Sequence, residues 1–507
     1  MIQSIDYFVI AAPLVLALAA GLVLLLDAFL PATGAVRTSL GLVSLAGVLA
    51  ALAFVVAQGM SGPRSTFCVP DSLATPGPPM CSFVADHFTV VFAALTLAAG
   101  AVVILLSMTE LAGGGIPVGE WYFLLLCTLV GAVALPASRD LIMLVVALEL
   151  VSLPVFALTA LRRYDGRSSE AAVKLFLVSV VSTAVMLFGV SLLYGVAGTV
   201  YLNRLAAVLS GQAPAPGAPG ALPMVVTVGV VLVIAGFAFK VAAVPFHSWA
   251  ADVYQGAPIP VAALLSVISK AAGFAGLILV LVAALRSQAE TWGPLIAILS
   301  ALTMTAGNLL AMRQRSAVRL LAWSSVAQSG YILAPLAMGS AAGLGGGSAT
   351  PVSASMAYLV IYAAMNLGAF AVVMLVSRAG SRNELDDYRG LAFRTPAAGL
   401  ALAFCLICLA GLPPGLAGLF AKVVVFREIV DGGLGWLAVV MAVNTVIGLY
   451  YYVAWTARLF TPAPAAAVHR AGRAYPATWA AVGAAVVVAV VFSAAPQVVL
   501  SLTTLPG

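Results

Sequence analysis

Long apolar tracts alternate with short polar connections along the whole chain, and the tracts are too long for barrel strands. At about 20 apolar residues per crossing, the pattern predicts fourteen helices. They centre near Leu18, Leu49, Leu97, Leu129, Leu150, Val185, Val233, Ala271, Leu302, Leu333, Leu367, Leu412, Val446 and Val488. An even number of crossings puts both termini on one side. The first tract, roughly Tyr7 to Leu30, starts acidic and lacks a small-residue cleavage site after a basic region. It reads as a retained helix and not as a removed signal peptide.

Composition agrees with the pattern. Of 507 residues, 8% are charged and 63% hydrophobic, against about 25% charged in a typical soluble domain. A soluble fold could not cover its surface with so few charges, and a disordered chain needs low hydrophobicity. The expected class is an all-α polytopic membrane protein, with no soluble domain before, between or after the apolar tracts. The net charge of +6 does not point to nucleic acid. Nineteen of the 23 basic residues are arginine, and they gather in the connections. Fourteen follow odd-numbered helices, among them Arg37, Arg162, Arg319 and Arg378. Five follow even-numbered ones: Arg64, Arg139, Arg204, Arg286 and Arg427. The positive-inside rule then puts the odd connections in the cytoplasm and both termini outside.

The longest outer connections are Met60–Asp86 and Tyr201–Leu222, the second a surface loop rich in Pro, Gly and Ala. The first holds Cys68 and Cys81 on the outer face, where an oxidising compartment favours a disulfide. Cys405 and Cys408 form a C-x-x-C spacing inside an apolar helix without further Cys or His nearby. They read as small packing residues, since a metal site needs more ligands.

All four lysines, Lys174, Lys240, Lys270 and Lys422, fall within apolar tracts. A charge at the bilayer centre costs about 2.5–3.5 kcal/mol on insertion scales, so it persists mainly beside a cavity or a counter-charge. Glu149, in `LVVALELVSLPVFAL`, is one counter-charge. Glu170 lies four residues before Lys174 on the same helix face and is a second, with a plain interfacial ion pair as the alternative. Lysine suits a proton relay because its surroundings can tune its proton affinity, whereas arginine stays charged. A Glu–Lys pair that opens and closes is a proton switch.

Two lysines neighbour helix breakers. Lys240 precedes Pro245, and Lys422 follows Pro413, Pro414, Gly415 and Gly418. Broken helices are tolerated in membranes where they are buried in protein or line a watery cavity, and ion-coupled transporters place them in two internal repeats. Ala235-Gly236-x-x-x-Lys240-Val241 returns as Ala417-Gly418-x-x-x-Lys422-Val423, five helices later. An odd spacing makes the repeats inverted. His247, seven residues past Lys240, can pass protons toward the cytoplasm, or can simply cap a helix end through the backbone. Asp252 and Tyr254, in the same turn, read as structural.

The stretches `FKVAAVPFHSWAADVYQGAPIPVAALLSVISKAAGFA` from Phe239, `RLLAWSSVAQSGYIL` from Arg319 and `LAGLPPGLAGLFAKVVVF` from Leu409 closely resemble the N-type antiporter-like membrane subunits of bacterial respiratory complex I. That complex is the proton-pumping NADH:quinone oxidoreductase, and the resemblance runs over nearly the whole chain. It implies fourteen helices with inverted five-helix repeats at helices 4–8 and 9–13, helices 7 and 12 being broken. The corresponding divisions are residues 1–118, 119–287, 288–461 and 462–507. It also implies a proton channel. Glu149 matches a glutamate that pairs with Lys240, Lys270 matches a central relay, and Lys422 matches a residue near the outer exit. Lys174 and Glu170 match a pair of less certain role. The M-type subunits typically have glutamate where Lys422 stands, and L-type subunits continue past the fourteenth crossing with a long lateral helix. Many relatives carry histidine at the position of Gln328; a glutamine can hold a water chain but takes up no proton at neutral pH.

The chain has neither a dinucleotide-binding glycine motif nor a cysteine set for an iron–sulfur cluster. No cofactor is expected in it. NADH, FMN, iron–sulfur clusters and quinone would belong to partner subunits, with subunits M and K as neighbours. The high Ala, Gly and Arg content suggests a GC-rich, actinobacterial genome and so menaquinone. The alternatives are a subunit of a multicomponent cation/proton antiporter without redox partners, and a membrane scaffold that conducts nothing.

Overall fold

The computed structural model describes residues 5–70, 79–162, 164–213, 223–341, 350–378, 383–462 and 475–505. Arg163, Arg382, Arg470 and Arg473, counted above among the arginines after odd-numbered helices, lie outside the described residues, as does the 214–222 part of the second outer connection.

The helices follow the apolar tracts. First come α1 (Ala11–Phe29), α2 (Gly34–Ser61), α3 (His87–Leu111), α4 (Val118–Ala134), α5 (Leu141–Ala160), α6 (Gly166–Ala197) and the short α7 (Leu202–Leu209). Then α8 (Pro223–Lys240) and α9 (Ala250–Gly256) flank a non-helical stretch. Next, α10 (Ile259–Leu264) and α11 (Lys270–Ile278) are joined by a π-helical turn, Leu265–Ser269. The rest are α12 (Ala289–Ala311), α13 (Ala317–Leu333), α14 (Pro351–Ser377), α15 (Leu391–Arg394), α16 (Pro396–Ala410), α17 (Leu416–Asp431), α18 (Gly435–Leu459), α19 (Pro476–Ala494) and α20 (Pro496–Thr503).

Among the described residues, eleven helices are long and apolar enough to cross a membrane. The tracts around Val233, Leu333 and Leu412 fall short of that criterion for physical reasons. Two are interrupted, between Lys240 and Ala250 and between Ala410 and Leu416. The third, α13, carries Ser324, Ser325, Gln328 and Ser329, all buried, because protein surrounds it on every side. Leu412, expected at a helix centre, lies in the second interruption, and Leu333 is the last residue of α13.

Polar side chains sort the connections onto two ends. Arg162, after α5, and Arg378, after α14, converge on Glu110 at the end of α3. Lys174 at the start of α6 and Arg319 at the start of α13 converge on Asp252 of α9. All of these follow odd-numbered crossings. At the other end of α3, Asp86 caps the helix through Thr89 N–H at 2.9 Å and pairs with Arg139 at 2.5 Å. Those two follow even-numbered crossings.

The first outer connection contains an element that the hydrophobic pattern does not predict. Strands β1 (Arg64–Cys68) and β2 (Cys81–Ala85) pair antiparallel, with Cys68 opposite Cys81, and the two cysteines form a disulfide. The second outer connection begins with α7 instead of running on as loop.

Burial separates centre from rim. In the Ile259–Ala284 segment 94% of the apolar window is buried, against 22% in α6. The Lys270 segment and α14 therefore form the middle, and α1, α2, α6 and α19 lie outside. Cys405 and Cys408 are buried on α16 with free thiols. Cys405 fills the space above Gly368, where an added Cβ would meet its Sγ at 2.6 Å, so close helix packing accounts for it.

Candidate functional site

Three of the four lysines are buried: Lys240 is 6% exposed, Lys270 1% and Lys422 7%. Each is held in a different way, and none of the three forms an ion pair among the described residues.

Lys240 is the last residue of α8. The chain then leaves the helix through Ala242 in the left-handed region (φ +57°) and Pro245, which follows a cis bond. Side chains from elsewhere satisfy the freed backbone groups. Thr303 of α12 accepts from Val244 N–H at 2.9 Å, and Trp249 Nε1 donates to Phe239 O at 3.3 Å. Such partners are what allow an irregular segment within the membrane. Lys240 Nζ donates to Ser152 Oγ on α5. Glu149 lies one turn earlier on α5, three residues before Ser152. It does not bond the lysine. Instead its Oε1 accepts from Thr183 Oγ1 of α6 at 2.7 Å. The expected Glu149–Lys240 ion pair is thus not closed in this structure: each group is held by a hydroxyl instead. A small cavity lined by Ser152, Ser179, Lys240 and Ser269 adjoins it, with room for about one water molecule. It reaches the residue next to Lys270.

Lys270 follows the π-helical turn directly. Its Nζ donates to Ser325 O and, at 2.7 Å, to Ser329 Oγ, both on α13. Tyr362 of α14 donates to Ser325 Oγ at 2.8 Å and Asn366 to Ser266 Oγ at 2.7 Å. From α13 the polar network runs on. Gln328 accepts from Tyr358 OH at 2.6 Å and donates to Tyr452 OH at 3.1 Å. Tyr358 stacks on Tyr331 with ring centres 5.9 Å apart. Asn308 joins Tyr331 and Tyr451. Gln328 is therefore a junction between tyrosines, a role that the sequence reading does not assign to it.

Lys422 lies on α17, just past the second interruption. The last turn of α16 leaves carbonyls without helical partners, and these form the negative end of the helix dipole. Lys422 Nζ donates to two of them, Ala410 O at 2.8 Å and Leu409 O at 3.3 Å. The Tyr331 ring lies 5.8 Å away, within range of a cation–π attraction. Two glycines make this possible. Gly411 adopts φ +83°, and a Cβ on Gly418 would meet Cys408 O at 1.8 Å. Lys240 precedes its interruption and Lys422 follows its own, so the Ala-Gly-x-x-x-Lys-Val match does not bring the two breaks into register.

Lys174 forms the expected pair with Glu170 away from the other three lysines. Its side chain is 43% exposed at the start of α6, outside the buried network, where it pairs with Glu170 at 2.6 Å and Asp252 at 3.0 Å. Asp252 also binds Arg319 at 2.8 Å. Burial opposes the charge of Asp252, but Lys174 and Arg319 outweigh it and hold the carboxyl below its ordinary value. His247 sits within the first interruption, its ring 5.4 Å from that of Trp323. Its Nδ1 is buried without a hydrogen-bond partner among the described residues, and no bond joins it to Lys240.

Glu110 was not singled out by sequence reasoning. It is 4% exposed and binds Arg162 at 2.5 Å as well as Arg378. The three border a cavity of about 400 Å³ at the end where the odd-numbered connections gather. Arg378 is 268 residues away in the chain, and no local signal could have linked the two. Among the described residues no group of three or more His, Cys, Asp or Glu is placed to hold a metal ion.

Residues 138–448 match the model of a family described as NADH:quinone oxidoreductase/Mrp antiporter, transmembrane. The chain belongs to this family. That span runs from α5 to α18 and includes all three buried lysines. Two relatives show how far the likeness extends across this antiporter family. A protein of Streptomyces griseus named NADH-quinone oxidoreductase subunit N 2 is 52% identical, covering 94% of this chain and 86% of its own. One from Salinispora tropica named NADH-quinone oxidoreductase subunit N is 46% identical, covering 91% and 86%. A chain in the structure of respiratory complex I from Thermus thermophilus superposes with a TM-score of 0.75 at 30% identity, covering 98% of this chain and all of that one. A chain of the Mrp complex from Dietzia superposes at 0.80 but is only 22% identical, and so shares the fold. With its apolar helices, this member of the family is a multi-pass membrane protein.

Proposed function

We propose that this chain is a proton-translocating membrane subunit of an NADH:quinone oxidoreductase. It moves protons through a relay of Glu149, Lys240, Lys270 and Lys422, driven by quinone reduction elsewhere in the complex. One observation carries the reading. Three ammonium groups are buried, each held by hydroxyls or main-chain carbonyls, and none is paired with a carboxylate among the described residues. Unpaired ammonium groups held by hydroxyls and carbonyls can exchange protons. The names of the similar proteins from Streptomyces and Salinispora support the same assignment.

In this reading the chain adds no redox centre. NADH, FMN, iron–sulfur clusters and quinone are handled by partner subunits, with an M-type and a K-type subunit beside it in a bacterial cell membrane. Protons enter at the arginine-rich end, taken as cytoplasmic from the charge bias. They leave past Lys422, and both termini lie outside. The fourteen crossings form two inverted repeats at helices 4–8 and 9–13. Lys174, Glu170 and His247 serve at the entry side.

A second reading, a cation/proton antiporter subunit, is favoured by the fold shared with the Mrp chain. Purification through a tag on this chain decides between them. Flavin and iron–sulfur subunits copurify under the first reading and are absent under the second. The purified complex in lipid vesicles should then acidify or alkalinise the lumen on NADH addition, and Lys240→Ala should remove that signal while the subunits stay together. Unchanged pumping by assembled Lys240→Ala would leave the chain a scaffold.

A further inference from the structure

We infer that Thr183 and Ser152 are positioning residues that hold the Glu149–Lys240 pair open. The inference rests on the relay reading above and adds two residues to it. Opposite charges attract strongly in the low dielectric of a membrane interior, yet each of these two is held by a hydroxyl. Thr183 Oγ1 donates to Glu149 Oε1 at 2.7 Å and turns the carboxylate toward α6. Ser152 stands three residues past Glu149 on the same helix. Its hydroxyl donates to Leu148 O at 2.7 Å, which leaves only its lone pairs for Lys240 Nζ. The lysine is thus parked one turn from its counter-charge.

Among the described residues one hydrogen bond restrains each partner, so closing the pair requires breaking only those two bonds. The cavity beside Lys240 supplies room for the motion, and Ser179, four residues before Thr183 on α6, and Ser269 line it. Gly273 keeps the opposite wall close without blocking it; a Cβ there would come within 3.1 Å of Lys240 Cγ. A relay needs the pair to open and close in turn. A pair without these hydroxyls would stay closed, and the proton would be trapped.

The test uses the whole assembled complex in vesicles, with Thr183→Val, Thr183→Ser, Ser152→Ala and Glu149→Gln. Two signals are read: protons moved per NADH oxidised, and the infrared carboxylate band that disappears in Glu149→Gln. Thr183→Val should lower pumping about tenfold, the size expected for losing one hydrogen bond to a charged group, and should move that band. Thr183→Ser should restore both signals. Ser152→Ala should have a smaller effect, since Ser179 and Ser269 remain within the cavity. Thr183→Ala serves as a second donor-free variant if the valine does not assemble. An assembled Thr183→Val complex with wild-type pumping and an unmoved band, alongside a Glu149→Gln complex that does not pump, would overturn the inference while leaving the relay standing. If Glu149→Gln itself pumps normally, the relay reading falls and the positioning role falls with it.

Discussion

The two interrupted helices hold the same residue type in opposite ways. At the first, Lys240 stands before the break and bonds one serine on a neighbouring helix, with a carboxylate one turn away and a small cavity alongside. At the second, Lys422 stands after the break and bonds two carbonyls that the break itself sets free, beneath a tyrosine ring. The first lysine has alternatives within reach. The second is fixed by the end of α16, because main-chain carbonyls cannot rotate away as a serine hydroxyl can. A break in a membrane helix therefore does two different jobs. It makes space for movement in one place and supplies a rigid, partly negative cradle in the other.

The comparison can be broken most directly at its mobile end. Lys240→Ala or Glu149→Ala should cut NADH-driven proton uptake about a hundredfold, the range of a lost acid–base group, with assembly intact on native gels. A carboxylate that is locked should behave otherwise. Glu110→Gln leaves Arg162 and Arg378 facing each other without their shared partner. It should destabilise the purified complex by about 3 kcal/mol, read as a lowered unfolding temperature, whatever it does to pumping. At the rigid break, Lys422→Met removes the donor for two buried carbonyls. It should cost about 2 kcal/mol of stability and slow proton release less than Lys240→Ala slows uptake, as single-turnover pH traces would show. Equal losses from the two lysines would erase the distinction between the breaks.

The exposed cluster should give the smallest effect. Asp252→Asn should change turnover about twofold or less, as for other exposed ion pairs, and Lys174→Ala should slow entry only modestly, since Glu170 and Arg319 remain beside it. The carboxyl of Asp252 lies below its ordinary value when folded. Its contribution to stability is therefore present above about pH 4, the unfolded value, and is lost as the pH falls through the folded one. Melting curves of wild type and Asp252→Asn should differ at neutral pH and converge in strong acid.

Much of the fold was legible because membrane helices are written in long runs of apolar residues. Pro245 and the Pro413-Pro414 pair announced both interruptions, though the centre assigned to Leu412 fell inside one of them. The β1–β2 hairpin was missed because five-residue strands within a polar connection leave no usable period. Of the site, the buried lysines were visible as rare charges in apolar surroundings. Lys174 gave the same signal but is partly exposed and paired with Glu170 and Asp252, since position within an apolar tract does not say which face of a helix a side chain occupies. Three things were not legible. Glu110 depends on arginines from two distant connections. Gln328 owes its role to tyrosines on α14 and α18. The open state of the Glu149–Lys240 pair is set by Thr183 and Ser152, hydroxyls that look ordinary in any membrane helix.

The π-helical turn at Leu265–Ser269 has a consequence for how Lys270 is aimed. Such a turn winds one additional residue into the spiral, and each residue of an α-helix advances the angle by about 100°. Lys270 owes its heading toward Ser325 and Ser329 to that one surplus amino acid. Two chains with identical chemistry but one residue's difference in winding here would point this ammonium along unrelated directions, so the length of the segment matters as much as its composition.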